Sequence, residues 1–172
     1  MGGYDFFEGL QQLSTRQIHI TIENYLSELK YTQKNKNSND NILLGATRIA
    51  YMLGLIDKTT ARYYHSDSYY KGLLGMEEQV FYRNYWKEHD IITPLPIKEA
   101  KSLSPTKAKE MIETYIRSLL NVMGKIHTSE NFYYVIGGIT EIAVFLKLFD
   151  YKEMAKYSAE AYVKDGTNFR HY

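Results

Sequence analysis

One short stretch, Phe81-Tyr82-Arg83-Asn84-Tyr85-Trp86-Lys87, holds the densest set of interaction-capable side chains in this 172-residue chain. On a helix, Phe81, Tyr85, Tyr82 and Trp86 cover a contiguous arc of about 140°. Arg83 and Lys87 flank that arc on one side, Glu77 and Glu88 on the other. Aromatic faces beside Arg and Lys suit base stacking with phosphate contact. They suit equally a protein interface, where Trp, Tyr and Arg supply the anchors. The remaining use is packing onto the chain's own core. The pattern marks Tyr82, Arg83, Tyr85, Trp86 and Lys87 as the candidate partner-binding residues, with Tyr63-Tyr64 and Tyr69-Tyr70 as an upstream extension.

No comparable pattern exists for catalysis. His19, His65, His89, His127 and His171 are scattered, and none falls in a metal spacing such as His-Glu-x-x-His. His65-Ser66-Asp67 and Glu88-His89-Asp90 set acids beside a histidine, but neighbours on a helix point apart. Asp57 and Asp150 could pass for paired carboxylates, yet helix capping explains both. The chain has no Cys, which removes thiol catalysis, disulfides and zinc–thiolate sites. No Gly-rich phosphate loop, nucleophile elbow or kinase pattern is present. No catalytic residue, cofactor or metal ligand is assigned, and an enzyme here would have to assemble its site from residues distant in sequence.

Charge narrows the partners. The 21 basic and 20 acidic residues leave a net +1, without the basic surplus of a large nucleic-acid footprint. Thr32 to Asn41 is polar and Lys/Asn-rich, and reads as a solvated loop. The 17 tyrosines accompany many Lys, Asn and Ile, as in an AT-rich coding sequence, so their clusters carry more meaning than their total.

The elements that must position any site come as an internal repeat. Gly45 to Asp57 and Gly138 to Asp150 are identical at seven of thirteen positions, at an offset of 93. Upstream, Leu13 to Leu29 matches Leu103 to Leu119 at an offset of 90, and Ala61-Arg62-Tyr63 matches Ala155-Lys156-Tyr157 downstream. The expected fold is an all-α helical bundle of two related three-helix units, pseudo-twofold, plus one extra helix. The expected division is 1–12 a short N-terminal helix, 13–70 the first repeat, 71–102 the extra helix and a Pro-containing linker, 103–163 the second repeat, and 164–172 a frayed tail.

Local signals agree. Ser14-x-x-Gln17 and Asp150-x-x-Glu153 have the form of capping boxes, and Ser104-Pro105 that of an N-cap followed by proline. Ile18, Ile22, Tyr25, Leu26 and Leu29 form one apolar face; Ala108, Ile112, Tyr115, Ile116, Leu119 and Met123 form its counterpart. Tyr25 and Tyr115 read as core tyrosines. The repeat helices from Gly45 and Gly138 are apolar nearly all round and run to Asp57 and Asp150, with third helices over Lys58 to Tyr70 and Tyr151 to Val163. Small residues at Gly45, Ala46, Gly137 and Gly138 suggest close helix approach. Arg48 and Glu141 stand at matching positions with opposite charge, which predicts that they pair, directly or through neighbours. Phe132 to Phe149 is apolar enough to raise a membrane span, but Glu141 and Lys147 argue for a buried core helix.

The sequence therefore favours a non-catalytic, cytoplasmic macromolecular binder without a membrane partner. Its expected partner is a protein, as for a small accessory or inhibitor protein of a bacterium or its mobile elements. A homodimer would use the same aromatic surface. The alternatives are a nucleic-acid-binding regulator and an enzyme with no readable motif.

Overall fold

The computed structural model describes residues 2–32, 36–64, 103–123 and 131–169. Helix is the only regular structure among them, so the chain is all-α. The helices are α1 (Gly2–Gln11), α2 (Thr15–Thr32), α3 (Lys36–Met52), α4 (Lys58–Tyr64), α5 (Pro105–Val122), α6 (Phe132–Phe145) and α7 (Tyr151–Phe169).

The centre is the pair α3 and α6, which make the most extensive helix contact among the described residues. Leu43 to Ala50 are buried without interruption, as are Ile136 and Gly138 to Thr140 on α6 apart from the half-buried Gly137 between them. A helix buried on every side must have small residues where its backbone meets another. A Cβ on Gly45 would collide with the carbonyl oxygen of Val135, and a Cβ on Gly138 with that of Ile42. The helices thus pass backbone against backbone in antiparallel sense. At the N-terminus of α6 the Asn131 N–H donates to Asn41 Oδ1 at 2.9 Å.

Both helices end in the same Schellman geometry. Leu55 N donates to Ala50 O and Gly54 N to Tyr51 O, at 2.9 and 3.0 Å; Leu148 N donates to Ala143 O and Lys147 N to Val144 O, also at 2.9 and 3.0 Å. The left-handed residue is Gly54 (φ 73°) in one and Lys147 (φ 61°) in the other. Asp57 and Asp150 then cap the next helices, accepting from Thr60 N and Glu153 N at 2.8 Å each. Asp150 N donates back to Glu153 Oε1 at 3.0 Å, completing the capping box. Ser14 and Gln17 close a second box at the start of α2, with bonds of 3.0 and 3.2 Å. Ser104 Oγ accepts from Lys107 N at 3.1 Å, with Pro105 in the first turn of α5.

The outer helices lay their apolar faces on this centre. Ile18, Ile22 and Leu26 of α2 are buried, as are Ala108, Ile112, Tyr115, Ile116 and Leu119 of α5. Phe7 and Leu10 anchor α1 in the same core. A polar clasp ties α5 to α7. Arg117 Nη1 and Nη2 donate to the two oxygens of Glu160 at 2.7 and 3.3 Å, and the Tyr157 hydroxyl donates to Glu113 at 2.9 Å. Burial, then the Glu113 carboxylate, pushes the Tyr157 hydroxyl up to about 12.

Several sequence expectations need correction. Lys36 to Asn41 is not loop but the start of α3. The helices through Gly45 and Gly138 stop at Met52 and Phe145, because a left-handed residue two places on ends them before the aspartates. The last helix runs through Lys164 to Phe169, where a frayed tail was expected. Residues 65–102, including Tyr69, Tyr70 and the Phe81–Lys87 stretch, lie outside the described residues.

Adjacent glycines separate packing from propensity. Gly45→Ala and Gly138→Ala lower stability by about 3 kcal/mol or more through overpacking against backbone. Gly137→Ala, whose Cβ meets nothing within 4 Å, is neutral or stabilising by up to about 1 kcal/mol. Urea denaturation of the three variants checks this; equal effects at 137 and 138 contradict it. Lys147→Gly, which removes a left-handed lysine, raises the melting temperature by about 2–4 °C, read by thermal scan.

Candidate functional site

A cleft of about 420 Å³ opens between α2, α6 and α7. From α2 it receives Tyr25, Glu28 and Leu29, which continue the buried stripe of that helix to its rim. From α6 it receives Glu141, Val144 and Phe145, and from α7 Tyr151 and Met154. Its mouth is wide, and Tyr151 stands 76% exposed beside it. The inner wall is aromatic. Tyr25 stacks on Phe145 with centroids 4.4 Å apart, and Phe6 of α1 meets the Phe145 ring edge-on at 5.4 Å.

Glu141 is the chemically unusual member. It sits in the middle of the most apolar helix, and its Oε2 is sealed from solvent with no hydrogen-bond partner. Burial pushes its carboxyl above the ordinary value of 4.5. No Lys, Arg or His lines the cleft among the described residues. Burial, reinforced by the Glu141 charge, holds the Tyr25 hydroxyl far above its usual range, so it stays protonated. The cleft therefore presents a partly desolvated carboxylate at Glu141 and a neutral phenol at Tyr25 against aromatic walls. That chemistry attracts a cation and repels a phosphate.

The direct form of the expected Arg48–Glu141 pair is absent: no ion pair joins the two among the described residues. The antiparallel register explains it. Gly45 lies against Val135, so Arg48 lies at the level of Phe132, nine residues from Glu141, or about 13 Å at a rise of about 1.5 Å per residue. Arg48 is instead buried, at 4% exposure, with interactions of its own. Tyr115 is buried as expected of a core tyrosine, whereas Tyr25 is half-buried and lines the cleft. The cleft went unread in the sequence, although one signal for it was there: a glutamate in the middle of an apolar helix.

A second surface feature lies at the C-terminal end of α2, just beyond Leu29. Lys30 Nζ stands 4.9 Å from the Tyr63 ring centroid and 5.7 Å from that of Tyr31. These tyrosines are 63% and 71% exposed. Of the candidate partner-binding residues, Tyr82, Arg83, Tyr85, Trp86 and Lys87 all lie outside the described residues. Among the described residues, no three His, Asp or Glu side chains gather as a metal site. No helix there is long and apolar enough to cross a membrane. No protein-family model, curated protein or solved structure matches the chain.

The sign of the Glu141 shift gives a stability test. Its folded-state pKa is raised, so the fold prefers it protonated. That preference is fully met below its ordinary value and is lost as pH rises through the raised one. At neutral pH the ionised group destabilises the fold. Glu141→Gln is therefore more stable than the parent near pH 7 by about 1 kcal/mol, discounted for the open side of the cleft. The difference vanishes below the ordinary carboxylate pKa. Paired urea titrations across pH check it, and a destabilised Glu141→Gln at neutral pH contradicts it.

Proposed function

We propose that this chain is a non-catalytic binding protein whose partner is another protein, acting in the cytoplasm as a small accessory or inhibitor of a bacterium or its mobile elements. The observation that carries this is the cleft, where the half-buried Glu141 carboxylate lies beside exposed aromatic surface and no cation lines the walls among the described residues. Aromatic area with a few fixed polar groups is the make-up of a protein-recognition surface. The scaffold in this reading is a duplicated three-helix unit with a pseudo-twofold axis between α3 and α6. The reciprocal contacts Gly45–Val135 and Gly138–Ile42, and Schellman ends 93 residues apart, support that duplication. Tyr82, Arg83, Tyr85, Trp86 and Lys87 are proposed as a second contact on the same partner.

One observation favours nucleic acid instead: Lys30 set between the exposed rings of Tyr31 and Tyr63, a combination able to stack bases and meet phosphate. The carboxylates of the cleft weigh the other way.

The test is affinity capture from source-cell extract, with nuclease added to one arm. The expected result is a protein retained in both arms by the parent chain and lost, about tenfold or more, with Tyr82→Ala plus Trp86→Ala at an unchanged melting temperature. Capture abolished by nuclease and steeply weakened by salt assigns the chain to the nucleic-acid reading. A large drop in melting temperature assigns the aromatic arc to the core.

A further inference from the structure

The cleft allows the protein-binding reading, on which this inference rests, to be taken to a chemical group. We infer that the α2–α6–α7 cleft is a recognition pocket for an arginine side chain presented by the partner protein, with Glu141 receiving the guanidinium and Tyr25, Phe145 and Tyr151 forming its aromatic surround. Three observations converge on that occupant.

The first is charge. The Glu141 carboxylate lines the cleft, and no Lys, Arg or His among the described residues does so. The second is the partial burial of Glu141. Its half-buried carboxylate lies against the aromatic side chains of the cleft, where an ion is poorly hydrated and a charged donor at its open side stabilises it. The third is shape. The cleft is an open groove rather than an enclosed cavity and has exposed Tyr151 at its mouth. It can admit a side chain that reaches in from another molecule. Guanidinium is planar, stacks on aromatic rings and remains charged at all relevant pH, and it is less strongly hydrated than an ammonium. A half-dehydrated carboxylate between aromatic walls selects for that combination.

The sequence positions matching the cleft sharpen the contrast. Glu141 corresponds to Arg48, Tyr25 to Tyr115 and Phe145 to Met52. All three counterparts are buried, while Glu141, Tyr25 and Phe145 are each only half-buried. These three positions are thus covered at Arg48, Tyr115 and Met52 and open at Glu141, Tyr25 and Phe145, whereas Tyr51, which matches Val144, is half-buried as Val144 is.

The probe is N-ethylguanidinium, titrated into the full chain and followed by NMR at the Met154 methyl and the Tyr25 ring. Ethylammonium and ethyl phosphate serve as comparison probes. The expected result is a saturable shift at both positions with ethylguanidinium, weaker binding of ethylammonium and none of ethyl phosphate. In Glu141→Gln, which retains shape and folds, the ethylguanidinium affinity falls at least tenfold. No saturable shift, an affinity unchanged by Glu141→Gln, or preference for ethyl phosphate overturns the inference. Sedimentation of the parent and of Glu141→Gln distinguishes the source of the arginine. Concentration-dependent self-association abolished by the substitution would place a second copy of this chain in the cleft and overturn the partner-protein form. The probe titration and the capture experiment fail separately. A nuclease-resistant partner held equally by Glu141→Gln, together with an indifferent probe response, removes the pocket and leaves the protein-binding reading. Probe binding without any protein partner does the reverse.

Discussion

The structure depends on the close passage of α3 against α6. Side chains normally hold helix axes 8–10 Å apart; Gly45 and Gly138 remove that spacer at the crossing, so each glycine lies against a carbonyl oxygen of the other helix. The contact leaves no room for slippage: a one-residue shift would drive Ala46 or Ile139 into a backbone oxygen. Register, direction and the level of every other residue on the two helices follow from it. The outer helices inherit their positions through the turns after Met52 and Phe145, whose left-handed residues set the exit angle towards α4 and α7.

That same constraint distributes charge. A near-neutral chain could have matched its buried Arg48 with its half-buried Glu141, and the matching repeat positions suggest it. The antiparallel register moves them apart in proportion to their distance from the crossing, so each must be accommodated where it falls. Arg48 is enclosed. Glu141 meets the rim of α2 instead, where Tyr25 and Phe145 stack and no cation waits among the described residues. The net charge of +1 conceals this local imbalance. Electrostatic character belongs to surfaces, and only the fold says which charges share one.

What the sequence made legible was what short-range chemistry decides. Ser14 with Gln17, Ser104 with Lys107 and Asp150 with Glu153 involve groups three residues apart, and each bond is present. The buried faces of α2 and α5 follow from helical period alone. Lys36 to Asn41 was illegible as helix because its polar run carries no apolar period, and Asn41 meets Asn131 ninety residues away. The extension of α7 past Val163 was hidden for the same reason. The cleft was illegible because its walls come from positions 25, 141 and 151, and because Tyr25 shares its repeat position with a tyrosine that is core.

The physical state of Glu141 bears on the proposed reading of the cleft as a binding site. A raised carboxyl beside a phenol is also the raw material of general acid chemistry. Acid catalysis, however, needs a reacting atom held by further donors and a site closed to water, and this cleft is wide at its mouth. Binding makes smaller demands. Part of the carboxylate's dehydration has already occurred on folding, and the fold's other interactions sustain it. A cation at its open side therefore meets a group with less water to shed, and more of the attraction survives as affinity. The same prior dehydration disfavours the ionised group in the free protein. On the proposed reading, the cleft trades local stability in the empty state for attraction to a cation.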